Sequence, residues 1–164
     1  CAERAVGDEP FAVLLADDFL TQPNTSATCD VTLDLKTAFE TSGKTQLSVM
    51  EVVGPEISKY GVIIKGKAQG TVEGIIEKPS FEEAPSDMAS IGRYVLTPDV
   101  FDVLRKLPMG VGGEIQLADA INIQAKQGQV NAVKLTAVRF DCGYVDGFLA
   151  AIGHVSALKK TDDK

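Results

Sequence analysis

Phe11-Ala12-Val13-Leu14-Leu15-Ala16-Asp17-Asp18 is the stretch that decides how this chain is read. Its six mostly apolar residues are too few for a helix and match a strand covered on both faces, as in a parallel sheet. The run stops at two carboxylates. Outward from it, strand and helix patterns alternate. Residues 21–28, with Pro23 and Asn24, read as a loop. Asp30 can cap a helix to about Thr41, with Val31, Leu35, Ala38 and Phe39 on one face and Gly43 as its stop. Residues 46–53 form a second strand, and 60–64 pairs with 72–77 across a turn. After a loop at 79–87 and a strand at 89–96, Pro98 opens a helix to about Leu107. Residues 114–126 have helical spacing at Ile115, Ala118, Ile121 and Ala125. Residues 130–140 read as one long strand, 145–158 as the last helix and 159–164 as a frayed tail. The expected fold is α/β, a mixed, mostly parallel sheet with flanking helices and an incomplete Rossmann-like arrangement.

The chain has 164 residues, the size of one domain. Its hydrophobic fraction of 45% and charged fraction of 24% are those of a soluble globular protein. No run approaches the ~20 apolar residues of a membrane helix, and no signal peptide opens the chain, so a cytoplasmic location is expected. The net charge of −7, with scattered Lys and Arg, argues against nucleic acid as a partner. A small phosphorylated ligand stays compatible, because one local cation or a metal can hold it. Cys1, Cys29 and Cys142 have no metal-site spacing and read as reduced thiols. His154, the single histidine, lies in an apolar stretch where a structural role is expected. A Ser-His or Cys-His mechanism would have to use it.

Asp17, Glu77 and Asp141 all fall at the ends of predicted strands, where ligands bind in sheets of this type. A carboxylate leaving a buried strand must be solvated, hydrogen-bonded or holding a cation. Two from different strands suit Mg2+, which takes few protein oxygens and shares the rest with water and phosphate. Either Asp taken singly is also explained by a turn or a cap. In Glu77-Lys78-Pro79, Glu can accept from sugar hydroxyls and Lys can neutralise a phosphate. Pro79 is expected to hold Lys78 extended. Taken alone, the triplet is common surface sequence. Gly110-Val111-Gly112-Gly113 ahead of a helix suggests an anion site, but it matches neither a Walker loop nor a dinucleotide fingerprint.

The ordered set is more specific than its parts. Leu14-Leu15-Ala16-Asp17-Asp18, Lys59-Tyr60-Gly61-Val62, Ile76-Glu77-Lys78-Pro79, Gly92-Arg93-Tyr94-Val95-Leu96, the stretch from Gly113-Glu114-Ile115-Gln116 to Ile121, Phe140-Asp141-Cys142-Gly143 and Gly147-Phe148 follow one another over residues 5–155. The series resembles the bacterial UTP–glucose-1-phosphate uridylyltransferases, C-terminal portion. The resemblance implies an enzyme joining glucose 1-phosphate to UTP with release of pyrophosphate. It implies that Asp17 and Asp141 hold a catalytic Mg2+, that Tyr60 and Gly61 border the sugar, and that Glu77 binds its hydroxyls. It also implies that Lys78 binds the phosphate and that Gly92 and Glu114 line the sugar pocket. The family's glycine-rich, basic nucleotide loop has no counterpart here. Where the family carries a lysine shortly after Asp-Cys-Gly, this chain reads Tyr144-Val145-Asp146. Residues 1–164 are therefore expected to be the sugar-phosphate portion of a nucleotidyltransferase domain, inactive alone, with the UTP site largely absent. The alternative is a non-catalytic, self-associating or sugar-phosphate-binding remnant; a thymidylyl- or adenylyltransferase relative fits the motifs less well. A homo-oligomer is expected, because an apolar strand edge would otherwise lie bare.

Overall fold

A computed structural model of the chain describes residues 2–24, 30–110 and 113–162. In chain order the elements are α1 (Glu3–Val6), β1 (Phe11–Leu14), β2 (Asp18–Thr21), α2 (Val31–Ser42), β3 (Thr45–Glu51), β4 (Gly61–Lys65), β5 (Val72–Glu77), β6 (Met88–Leu96), α3 (Val100–Lys106), α4 (Leu117–Lys126), β7 (Val130–Lys134), β8 (Val138–Asp141) and α5 (Val145–Asp162). Short 3-10 turns at Pro55–Lys59 and Phe81–Glu83 complete the set.

The main sheet runs β5-β4-β6-β3-β7, with β1 also on β6. It is mixed, with helices on both faces, but not mostly parallel: among the described strands β3–β7 is the one parallel ladder. The long β6 is the spine. One of its edges pairs with β3, and the other is shared between β4 at Ala89 and β1 at Arg93–Leu96. On one face, α3 and α4 close a core of Leu47, Val49, Ile63, Ile75, Leu96, Val100 and Ile121. On the other, Val31 and Leu35 of α2 pack against Val95. Gly43 ends α2 in the left-handed conformation, φ 66°, as read from the sequence. Asp30 stands at the N-cap but makes no side-chain capping bond.

Four further readings are corrected by the structure. The opening apolar run is not a parallel strand buried on both faces. It pairs antiparallel with β6, and half-buried Phe11 and Val13 alternate with exposed Ala12 and Leu14. The stretch 130–140 is two strands. β7 joins the main sheet, whereas β8 pairs with β2 in a separate two-stranded sheet that sequence reading missed. α4 begins at Leu117, three residues later than the periodicity suggested, so Glu114 precedes it. α5 continues through Lys159 and Lys160 to Asp162 instead of fraying at 159. Residues 25–28 of the expected loop, Val111 and Gly112 of the glycine segment, and Cys1 and Cys29 lie outside the described residues.

Candidate active site

A cleft of about 340 Å3 opens where the turn after β1, the strands β4, β5 and β6, the start of α4 and the β2–β8 pair meet. Its lining includes Asp17, Tyr60, Gly61, Glu77, Lys78 and Gly92, six of the eight residues singled out from sequence. Asp141 stands beside it, at the end of β8. Glu114 is exposed in the segment before α4 and is outside this lining; its carbonyl accepts the Gly110 N–H at 2.9 Å.

The cleft owes its shape to an irregularity in β6. Leu47 of β3 faces Tyr94, but the next residue, Ser48, faces Ile91, so Gly92 and Arg93 are extra. A bulge of this kind bends a strand and re-aims its side chains. The Arg93 guanidinium turns back and donates to the carbonyls of Leu15 (3.0 Å) and Asp18 (2.7 Å), pinning the turn that carries Asp17. Gly92 lies against that turn: a Cβ there would come within 2.5 Å of Asp18 Oδ2 and 2.6 Å of Leu15 Cβ. Gly92 therefore serves close packing as well as cleft lining.

Asp17 and Asp141 converge on Gly143. A Cβ on that glycine would lie 3.1 Å from Asp141 Oδ1 and 3.4 Å from Asp17 Oδ2. The Gly143 N–H donates to Asp141 Oδ1 at 3.1 Å, and the Cys142 N–H donates to the Asp17 carbonyl at 2.7 Å. Two carboxylates flanking a side-chain-free space fit a hard divalent cation that takes its other oxygens from water and phosphate. Among the described residues no group of three or more His, Cys, Asp or Glu ligands clusters, so such a cation would depend on those other oxygens.

On the opposite wall Glu77 ends β5 and Lys78 follows it, both exposed. Gly61 lies under Glu77, whose Oε2 would be 2.9 Å from a Cβ on the glycine. Lys78 is not extended, contrary to expectation: its φ is +46°, the left-handed region that side chains other than glycine's rarely enter. The Lys78 N–H donates to the Tyr60 carbonyl at 3.0 Å, a bond that fixes this geometry. Lys59 also lines the cleft, but its ammonium is held by Glu56 at 2.6 Å, which raises its pKa.

Sequence reading missed Asp18 and Arg139. Asp18 is 5% exposed. Its Oδ2 accepts the Gly92 N–H at 2.7 Å, and its Oδ1 accepts Arg139 Nε. Arg139 Nη1 donates to the Tyr60 hydroxyl at 3.1 Å, and its guanidinium lies 5.2 Å from the centre of the Tyr60 ring. Burial lowers the Arg139 pKa, but Asp18, Tyr60 and Asp141 outweigh it and raise the value overall. The one signal in the sequence was the Arg-Phe-Asp alternation, which places Arg139 and Asp141 on one face. His154 packs on Phe140 with ring centres 5.2 Å apart and is outside this lining. Cys142 is a free thiol.

Residues 1–157 match the family model described as nucleotidyl transferase. The UTP–glucose-1-phosphate uridylyltransferase of Pseudomonas aeruginosa PAO1 is 42% identical over 149 residues, covering 89% of this chain and 52% of that protein. A solved apo UDP-glucose pyrophosphorylase superposes with a TM-score of 0.84 at 36% identity, over 98% of this chain and 58% of that one. A UDP-glucose pyrophosphorylase complexed with UDP-glucose gives 0.82 at 36% identity, over 98% and 60%. The chain thus spans a little over half the length of these relatives. With a match over nearly every residue, and with the acidic turn and the Glu-Lys strand end on one cleft and the Asp-Cys-Gly corner beside it, the chain belongs to the nucleotidyl transferase family.

Proposed function

We propose that this chain is the sugar-phosphate and metal portion of a uridylyltransferase that joins glucose 1-phosphate to UTP and releases pyrophosphate. The observation that carries the reading is the cleft: Glu77 and Lys78 on one wall face Asp17 on the other, with Asp141 at its side. Glu77 accepts hydrogen bonds from glucose hydroxyls. Lys78 neutralises the sugar phosphate; among the described residues no carboxylate is paired with its ammonium. Tyr60 and Gly61 border the ring, and the absent Cβ of Gly61 lets the sugar approach the backbone. Asp17 and Asp141 would hold Mg2+, which supplies charge neutralisation at the reacting phosphates. The sugar-phosphate oxygen attacks the α-phosphorus of UTP in line. The residues of this chain contribute position and charge, and no protein nucleophile is required.

The nucleotide side of the reaction belongs to the part of the relatives that this chain does not span. Residues 1–164 alone are therefore expected to bind glucose 1-phosphate but not to turn it over. A cytoplasmic location accompanies this reading; among the described residues no helix is long and apolar enough to cross a membrane. The test is calorimetric titration of the chain with glucose 1-phosphate. Binding should weaken about tenfold or more in Glu77→Ala, as for loss of one charged hydrogen-bond acceptor. Equal binding by wild type and Glu77→Ala, or pyrophosphate release by residues 1–164 alone, would contradict the assignment.

A further inference from the structure

Arg139 lines the cleft, and the proposed reaction leaves it unused. Asp18 and Asp141 are register partners in the antiparallel β2–β8 ladder, so their side chains leave the same face. Like charges directly opposed across a ladder repel. Arg139, two residues before Asp141, reaches both. Its side chain is 11% exposed and contacts Asp18 Oδ1, Asp141 Oδ2 at 3.3 Å and the Tyr60 hydroxyl at 3.1 Å.

These contacts are unequal. Asp18 is buried, and it is bound by the Gly92 N–H as well as by Arg139. Asp141 is 37% exposed at the side chain, and its bond to Arg139 is the longest of the set. Asp141 Oδ1 is already held by the Gly143 N–H. Thus Oδ2 depends on Arg139, and that bond can break without disturbing the others. We propose that Arg139 is a positioning residue that stands in for a divalent cation, holding Asp141 Oδ2 until an ion arrives and then yielding it while staying on Asp18 and Tyr60. The proposal rests on reading Asp17 and Asp141 as the metal pair. The Tyr60 carbonyl accepts the Lys78 N–H, so the same arginine ties the metal corner to the phosphate-binding corner through one residue.

A stand-in cation competes with the ion it replaces, so its removal has a sign that a purely structural role lacks. Mn2+ binding to the full 164-residue chain, followed by the electron paramagnetic resonance signal of the free ion at fixed ionic strength, reads it. Arg139→Met should bind Mn2+ about tenfold more tightly, because a positive charge next to the site is gone. That variant leaves Asp18 buried without its partner, which is strongly destabilising. Arg139→Lys supplies the second arm: it keeps a charge for Asp18 but lacks the fork that spans Asp18, Asp141 and Tyr60. It should stay folded and bind about threefold more tightly, since Asp141 is released. Asp141→Asn should abolish binding. Unchanged or weaker Mn2+ binding in a folded Arg139→Lys or Arg139→Met chain overturns the role of Arg139 and leaves the metal pair standing. No Mn2+ binding by wild type and both folded variants overturns the metal pair, and the stand-in role with it.

Discussion

Asp18 and Asp141 sit directly opposite one another across the β2–β8 ladder, and Arg139 bridges their carboxylates. The two aspartates have different fates. Asp18 is buried and committed to the Gly92 N–H and to Arg139, whereas Asp141 remains partly open beside Asp17. Asp17→Asn or Asp141→Asn, in an enzyme completed by the other half of the Pseudomonas relative, should lower turnover about a hundredfold or more with folding intact, as expected for metal carboxylates. Asp18→Asn should instead lower the melting temperature, because it removes the buried charge partner of Arg139 and leaves it only the partly exposed Asp141. Steady-state rates and thermal melts on all three variants separate the roles; full Mg2+-dependent activity in both Asp17→Asn and Asp141→Asn would remove the metal assignment.

Gly92→Ala should destabilise the fold by about 2 kcal/mol, the usual cost of overpacking. The added Cβ would press on Leu15 and on the Asp18 carboxylate. The urea midpoint measures it. A midpoint equal to wild type would mean that the turn at Leu15–Asp18 moves freely, contrary to its three anchoring bonds from Gly92 and Arg93.

Lys78→Gly should stabilise the chain by about 0.5–1 kcal/mol, because glycine occupies the left-handed region without the strain that lysine bears there. The same change should abolish glucose 1-phosphate binding. Lys78→Ala is the control, losing the ammonium but keeping the strain. Stability that rises while ligand binding falls is the signature of strain held at a functional position. A Lys78→Gly chain less stable than Lys78→Ala would show that no strain is present.

Tyr94 lines the cleft, and burial pushes its phenol above the ordinary value of about 10. A raised folded value means that stability is complete below pH about 10 and is lost as pH climbs towards the folded value. Tyr94→Phe cannot titrate and should lose less stability than wild type between pH 9 and 11. Parallel alkaline losses in the two proteins, read from urea midpoints, would assign the loss to other groups.

Among the described strands β1 pairs with β6 alone, so one edge of residues 11–14 carries unpaired backbone groups. An apolar groove of about 560 Å3, lined by Phe11, Leu33, Phe39 and Val95, runs beside it, and Leu14 is 55% exposed. Open edges next to apolar surface recruit another strand. The isolated chain should self-associate at micromolar concentration, and Ala12→Lys should disperse it by placing a charge on the open face. Light scattering decides: a monomer mass unchanged over a tenfold concentration range would refute the association.

Local signals made much of the molecule legible. Gly43 ends α2, residues 72–77 pair with the strand at Gly61–Lys65, and the acidic and Glu-Lys strand ends reach one cleft. These readings depend on propensity, period and turn chemistry, which act over a few residues. Three features were not legible. The run at residues 11–16 has the composition of a central strand, yet its neighbours leave one face bare. The stretch 130–140 has continuous β character, yet the chain divides it between two sheets. Lys78 precedes a proline, which favours extended backbone, yet its bond to the Tyr60 carbonyl holds it left-handed.

By itself, then, the sequence determined the periodicity of the elements, the acidic strand ends and the ordered motifs that mark the family. Beyond the β4–β5 hairpin, tertiary structure alone decided which strands pair, in which direction, and which carboxylate is structural. Asp17 and Asp18 are adjacent and chemically identical. Asp17 is exposed beside Asp141, whereas Asp18 is buried on Arg139, a residue 121 positions away in the chain. Asp17 ends the turn and Asp18 opens β2, and the partner that neutralises Asp18 is brought there only by long-range pairing, on which neither residue type nor local spacing bears.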